Sequence, residues 1–266
     1  MLRVPVHRIT PGMILARPIP LPHDPCRFLL QRDREIPMDL VPRLHPSYYP
    51  RQVKTPRMKR RFRLLRIHPY RLRVLLFNLA RGPFKDRRLR RALVRAIDRQ
   101  QLVRKARNGL GVVPSGPLWT LSPGYNRTLH ALSHDRRAAE RLLSAAGWRD
   151  PRGRGTRRRL GHPLRLSVLR ARAPERLDAI SNQIKAELQA VGVDARVKEG
   201  DFAYLKLQLR RRRFDMAVLS IAPRPESDLS PLFHSTGRLN VGGYSNPAAD
   251  RLLTAIRAAG DAPLRA

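Results

Sequence analysis

From residue 70 onward, the apolar residues follow two different periods, which predicts a chain of alternating strands and helices. Four stretches have the length and pattern of strands: 72–79, 164–168, 193–197 and 214–221. Helices are predicted where apolar residues recur every three or four positions: 86–108, 135–146, 174–191, 202–212 and a last helix from Asn246. Strands separated by helices of this length indicate βαβ units and a sheet covered by helices.

Two of these helices carry clear end signals. The helix over 86–108 has a continuous apolar stripe, and Gly109 supplies its stop. The last helix is predicted to start with Asn246 as its N-cap and Pro247 in its first turn. Three of its side chains are expected to face inward: Leu252, Leu253 and Ile256. The stretches 111–126 and 150–163 are rich in residues typical of loops and are predicted to be loops.

The first 60 residues have a different pattern. They are rich in proline, lack helical periodicity and contain short runs of strand character. We therefore predict two parts: a β-rich and irregular basic segment over 1–60, and an α/β domain over 61–266. No apolar run is long enough to span a membrane. The N-terminus lacks the apolar stretch of a secretory signal, so the chain as written is expected to stay in the cytoplasm.

Charge changes the range of functions to consider. The 55 lysines and arginines exceed the 20 acidic residues, which gives a net charge of +35. This excess predicts nonspecific binding to polyanions in vitro and makes a basic nucleic-acid-binding or regulatory protein the alternative function. No helix-turn-helix, zinc knuckle or aromatic-basic RNA motif is present, and the arginines are scattered through helices and loops alike. No pattern in the chain sets an oligomeric state.

Catalysis is not predicted. The eight histidines show no pairing with acids at the spacing of metal ligands, and no phosphate-binding glycine loop or nucleophile constellation is present. The single cysteine, Cys26, excludes an internal disulfide and a multi-cysteine metal site. We therefore expect no enzyme activity, no cofactor and no metal.

Several motifs occur in a specific order along the domain. They begin with Leu75 to Asn78 and Gly82 to Leu93, continue through Ser122 to Tyr125, Ala138 to Trp148 and Phe214 to Ala217, and end with Leu229 to Ser235 and Gly243 to Pro247. In this order they resemble the C-terminal lobe of the family 5 extracellular solute-binding proteins, the peptide/nickel-type receptors of bacterial ABC importers. The resemblance covers about 190 residues, from 70 to 259.

The resemblance implies a periplasmic-binding-protein type II-like lobe with a mixed sheet covered by helices. It implies binding of a small solute or oligopeptide, delivery to ABC importer membrane subunits, and a periplasmic or extracytoplasmic location. The first lobe of such receptors has no counterpart in this sequence, so a truncated or fused form is expected. Relatives of this family close around their ligand by a hinge.

The same resemblance supplies candidate ligand-binding residues. In peptide-binding relatives, an arginine after the strand equivalent to 164–169 pairs with the ligand carboxylate, and Arg170 and Arg172 occupy that place. The alternative is that both are solvated surface arginines. The relatives also hold the ligand ammonium with an acid; here Arg224 lies near its expected position, and Glu226 or Asp228 could substitute. Asp228 could equally cap the helix that begins near Leu229.

A second resemblance concerns the first 45 residues. Thr10 to Arg17, Phe28 to Leu30 and Asp39 to Leu44 are similar to the N-terminal module of HD-type cyclic-dinucleotide phosphodiesterases. The catalytic part of those enzymes has no match in the chain.

Overall fold

The computed structural model describes most of the chain from residue 72 onward. The residues it describes are 56, 72–107, 111–118, 120, 124–150, 155–172, 177–221 and 228–261. The strands are β1 Leu72–Phe77, β2 Arg158–Arg159, β3 His162–Pro163, β4 Arg165–Ala171, β5 Asp194–Gly200 and β6 Met216–Ile221. The helices are α1 Arg87–Ala96, α2 Arg99–Arg107, α3 Arg136–Ala145, α4 Leu177–Gln189, α5 Phe202–Arg210, α6 Ser230–Phe233 and α7 Pro247–Asp261. These elements all lie in one compact unit, Arg66–Ala266.

Four strands form a mixed sheet in the order β1-β6-β4-β5. β4 is parallel to both β5 and β6, whereas β1 is antiparallel to β6. The alternation of side chains along β4 separates two cores. Leu166 and Val168 face a large core that includes residues of α1, α3 and α4, and Leu169 and Ala171 face a smaller core with Leu205 of α5. The predicted α/β fold with a mixed, helix-covered sheet is therefore confirmed.

The predicted single helix over 86–108 is wrong, because the structure divides it into α1 and α2. Ile97 adopts an extended backbone (φ −97°, ψ 117°) and ends α1. Asp98 then starts α2, since its Oδ1 accepts a hydrogen bond from the amide N–H of Gln101 at 2.8 Å. A capping carboxylate satisfies a donor that has no partner inside the helix, and here it outweighs the continuous apolar stripe.

The predicted loop over 150–163 contains a short hairpin. β2 and β3 pair in antiparallel fashion, with Leu160 (φ 49°) and Gly161 (φ 80°) between them. Two consecutive positive φ values are typical of a tight hairpin turn. The arginine- and glycine-rich composition of the segment predicts a loop and gives no sign that its two short strands pair.

Arg157 fastens this hairpin to the amino edge of the sheet. Its guanidinium donates to the carbonyls of Val191 and Trp148 at 2.8 and 3.0 Å, and to the Ser144 hydroxyl at 3.0 Å. Its amide N–H donates to the Gly192 carbonyl at 2.8 Å. One side chain therefore joins the end of α3, the turn before β5 and the hairpin. We call this set of contacts the Arg157 clasp.

The last helix begins as predicted, because the Asn246 side chain accepts hydrogen bonds from the first amides of α7. Its apolar face is not covered as predicted: Leu252 and Ile256 are each 65 % exposed, and Leu253 is half-buried. The element with which α7 shares most contacts is α6, a single turn that is too short to cover a fifteen-residue helix.

Two polar side chains tie neighbouring strands of the sheet together. The fully buried Asn78 donates through Nδ2 to the carbonyls of Arg212 and Phe214, both at 2.8 Å, which ties the end of β1 to the start of β6. Asp215 accepts from the amide and the hydroxyl of Ser167 on β4, at 2.9 and 2.6 Å. Sequence analysis found both only as parts of motifs; the structure gives them a role in strand alignment.

The chain after α6 folds back tightly over that helix. Leu239 donates its amide N–H to the Pro231 carbonyl at 2.8 Å. The buried Asn240 donates to the carbonyls of His234 and Tyr244 at 3.0 and 2.7 Å. Gly237 lies in the centre of this fold, where a Cβ atom would come within 2.6 Å of two backbone oxygens of α6. This close approach explains why glycine occupies the position.

Candidate functional site

The topology of the sheet indicates which of its edges is the candidate binding edge. β4, β5 and β6 run in the same direction, so their carboxyl ends share one edge. From β4 the chain continues through α4 to β5 on one side, and from β5 it returns through α5 to β6 on the other side. In open α/β sheets, ligands bind outside the carboxyl ends of the strands where such a reversal occurs. The candidate site is therefore the carboxyl edge of β4, β5 and β6.

Two of the predicted arginines meet at this edge around a shared carboxylate. Arg170 and Glu199 are register partners on β4 and β5, and their side chains form an ion pair. Arg172, just past β4, donates through Nε to the other oxygen of Glu199 at 2.7 Å. Arg170 is largely buried, whereas the side chain of Arg172 is 80 % exposed. We call Arg170, Glu199 and Arg172 the edge triad.

The charges of the edge triad do not cancel. Two guanidinium groups face one carboxylate within the triad, and the charges of Asp178 and Asp201 act on Glu199 and Arg172 from nearby. The guanidinium of Arg172 is the most exposed of the three charged groups of the triad. A guanidinium group can bind a second carboxylate through two parallel hydrogen bonds. The edge triad can therefore bind an anionic group from solution without breaking its internal pairs.

The two arginines also set the acidity of Glu199. The hydrogen bond from Arg172, together with the charges of Arg170 and Arg172, lowers the pKa of Glu199 below its ordinary value of 4.5. Because the folded-state pKa is lowered, the stabilisation from these pairs is complete above that ordinary value and is lost as pH falls through the lowered pKa.

We expect the Arg172→Gln variant to shift the pKa of Glu199 upward, because the largest cause of its lowering is removed. NMR titration of the Glu199 side-chain carboxyl carbon measures this change. Arg196→Gln, three residues before Glu199 on the same strand but paired with Asp194, is the control and should leave the titration midpoint in place. An unchanged midpoint in the Arg172 variant would contradict the pairing.

The other predicted ligand-binding residues follow β6. Asp228 lies just before α6, and its Oδ1 accepts a hydrogen bond from the amide N–H of Ser230 at 2.8 Å. This bond supports the capping role that was the alternative for Asp228. Arg224 and Glu226 lie outside the described residues, so their predicted role stays a prediction.

A second cluster resembles the edge triad but lies at the opposite edge of the same strands. Asp194, at the start of β5, pairs with Arg165 and Arg196, each at 3.1 Å. This amino-edge cluster matches the edge triad in composition and charge. Sequence analysis missed both acids, because the register of two parallel strands decides which residues face each other.

The remaining described arginines are distributed over several surfaces. Some pair with nearby acids, as Arg88 does with Asp86 and Arg136 with Glu140. Arg91, Arg95 and Arg141 line a shallow groove of about 450 Å³ between α1 and α3. This groove is lined by residues of α1 and α3 and by Asp135 just before α3, not by residues of the carboxyl edge. The nucleic-acid alternative stays a prediction.

Within the described ranges, no group of three or more histidine, cysteine, aspartate or glutamate side chains could hold a metal ion. The helices of the same ranges include none that is long and apolar enough to cross a bilayer.

Comparison with known proteins now identifies the class to which this fold and edge belong. The family model described as bacterial extracellular solute-binding proteins, family 5 Middle, matches residues 36–240. The match covers most of the chain, which therefore belongs to the family 5 solute-binding proteins. The predicted resemblance of the domain is confirmed. The family match begins inside the segment assigned to 1–60; the boundary there and the resemblance to phosphodiesterases stay predictions.

Individual relatives agree with this assignment. The chain is 29 % identical over 208 residues to Protein XP55 of Streptomyces lividans and 25 % identical over 185 residues to the oligopeptide-binding protein AppA of Bacillus subtilis. These matches cover 77 % and 67 % of this chain but only 38 % and 34 % of the relatives. The chain thus corresponds to little more than a third of the length of these proteins.

Solved structures show the same fold. AppA of Bacillus subtilis, determined in complex with a nonapeptide, matches with a TM-score of 0.65 over 70 % of this chain and 38 % of that protein, at 24 % identity. An oligopeptide-binding protein of Thermus thermophilus, complexed with a pentapeptide, also gives a TM-score of 0.65, over 77 % and 40 %, at 20 % identity. The sheet and its helices are therefore a lobe of the periplasmic-binding-protein type II fold.

Proposed function

We propose that this lobe binds oligopeptides for an ABC-type importer and that the edge triad receives the ligand carboxylate. The observation that carries the proposal is the exposed guanidinium of Arg172 at the carboxyl edge, which is held by Glu199 through Nε. Membership of family 5 and the peptide complexes of structural relatives support an oligopeptide as the ligand. Delivery to importer membrane subunits and an extracytoplasmic place of action follow from the same relationship.

The two arginines have different parts in this proposal. Arg170 is largely buried and paired, so it holds Glu199 in place and adds positive potential. Arg172 is exposed and is bonded to Glu199 through Nε, which leaves the outer part of its guanidinium oriented towards solvent. Arg172 is therefore the side chain that contacts the ligand carboxylate. Asp228 is a weaker candidate for the ligand ammonium because its Oδ1 is occupied by the Ser230 amide at the start of α6.

Calorimetric titration with mixed oligopeptides tests this function. A single lobe covers one side of a ligand, so high peptide concentrations are required. We expect Arg172→Gln to raise Kd about tenfold or more, since hydrogen bonds to charged groups contribute about 1.5–3 kcal/mol. The same peptides with an amidated C-terminus should bind the unmodified protein as weakly as the free peptides bind this variant.

Arg196→Gln is the matched control, because Arg196 is an exposed arginine that pairs with an acid in the amino-edge cluster. It should bind peptide like the unmodified protein. Equal losses in both variants would contradict the edge triad as the site. An absence of heat from the folded, unmodified protein would contradict peptide binding itself.

A further inference from the structure

Helix α5 has more apolar side chains than the rest of the lobe buries. Six of its nine residues are apolar, yet Leu205 is its one buried residue, with Leu209 partly packed beside it. Phe202 is 73 % exposed, Leu207 43 % and Tyr204 40 %. A helix that packs on one sheet normally shows a polar face to solvent. An exposed apolar patch that is rimmed by polar groups is typical of a surface that binds a partner.

The same helix is strongly basic. From Phe202 to Phe214 the sequence contains no acid and five cations, namely Lys206 and the four arginines of 210–213. Lys206 and Arg210 are exposed on the turns that carry Leu207. We define the α5 outer face as Phe202, Tyr204, Lys206, Leu207 and Arg210. It combines apolar and cationic groups on a helix fixed to the sheet through Leu205.

We propose that the α5 outer face binds the surface of an anionic phospholipid bilayer. Helices that lie in a bilayer interface combine aromatic and leucine side chains, which enter the headgroup region, with lysine and arginine, which attract anionic lipids. The charged side chains exposed on α5 itself are Lys206 and Arg210, and the acid before the helix, Asp201, has its Oδ1 occupied by the amide N–H of Tyr204. The net charge of +35 adds long-range attraction to a negative surface.

Co-sedimentation of the full chain with lipid vesicles tests the proposal. We expect binding to vesicles of mixed phosphatidylcholine and phosphatidylglycerol, and at most a trace with phosphatidylcholine alone. The double variant F202S/L207S should lower the partition coefficient about tenfold or more, because two apolar side chains no longer enter the interface. K206Q/R210Q should lower it about twenty-five-fold, since each cation near an anionic surface accounts for about fivefold.

The control uses the other exposed apolar helix. Leu252 and Ile256 of α7 are each 65 % exposed, so L252S/I256S removes a comparable apolar area and should bind vesicles like the unmodified protein. F202S/L207S should also keep its binding to a double-stranded DNA oligonucleotide, which charge alone provides.

Three results would each overturn the proposal. The first is failure of the unmodified protein to bind the mixed vesicles. That result would indicate that an acidic protein segment, not a bilayer, binds the α5 outer face. The second is unchanged binding by F202S/L207S, which would show that charge alone acts. The third is an equal loss in L252S/I256S. Circular dichroism checks that each variant is folded. If F202S/L207S does not fold, the reduced vesicle binding expected of K206Q/R210Q still tests the proposal.

Discussion

Replacing Asn78 with alanine is expected to lower the free energy of unfolding by about 3 kcal/mol. The Asn78 amide is fully buried and donates to the carbonyls of Arg212 and Phe214, while its Oδ1 accepts from the amide N–H of Ala80 at 3.2 Å. Alanine removes these three bonds and leaves buried polar groups without partners, each of which costs about 1–3 kcal/mol. Urea denaturation followed by circular dichroism measures the loss.

Asn126→Ala is the matched control for this prediction. Asn126 is exposed, and its Oδ1 accepts from the amide and hydroxyl of Thr128 at 2.8 and 2.7 Å. Water replaces these bonds when the side chain is removed, so we expect a loss below about 1 kcal/mol. Similar losses in the two variants would show that the buried amide does not hold β1 and β6 together.

Replacing Gly237 with alanine is expected to destabilise the lobe by about 2–3 kcal/mol. The added Cβ would lie 2.5 Å from the Ser230 carbonyl oxygen and 2.6 Å from that of Pro231. Both obstacles are backbone atoms of α6, so the clash cannot be relieved by rotating a side chain. The chain after α6 must move away, which also weakens the buried contacts of Asn240. Thermal and urea denaturation measure the effect.

Gly82→Ala controls for the general effect of exchanging glycine for alanine. A Cβ at Gly82 meets no atom within 4 Å, and the residue is exposed. There, the reduced freedom of the unfolded chain is expected to leave stability unchanged or raise it by about 0.4–1 kcal/mol. If Gly237→Ala proved equally harmless, the close approach of the loop to α6 would be wrong.

Local pattern predicted the elements of the lobe well. The strands near 72–79 and 164–168 and the helix over 135–146 occur where their periodicity places them, because each has one face that must be buried. Asp135 and Asn246 cap their helices, a role that depends on nearest neighbours alone. The break at Ile97 was missed, since a stripe of apolar residues does not show where a capping acid will interrupt it.

What the sequence could not show depends on contacts between distant segments. The periodicity of α7 defines its apolar face correctly, but no local signal says whether another element covers Leu252 and Ile256. The edge triad illustrates the same point. Arg170 and Arg172 were identifiable by family resemblance, whereas Glu199 became visible only when the parallel register placed it beside Arg170.

The Arg157 clasp has a consequence for how the lobe responds to acid. Its guanidinium binds carbonyls and a hydroxyl, none of which titrates, so these contacts persist when carboxylates take up protons. The edge triad depends on the ionised form of Glu199. Strong acid thus weakens the edge triad and also the ion pairs of Asp194 at the amino edge, because the arginines there lower the pKa of Asp194 in the same way. The hairpin stays fastened at the amino edge through the neutral contacts of the clasp alone.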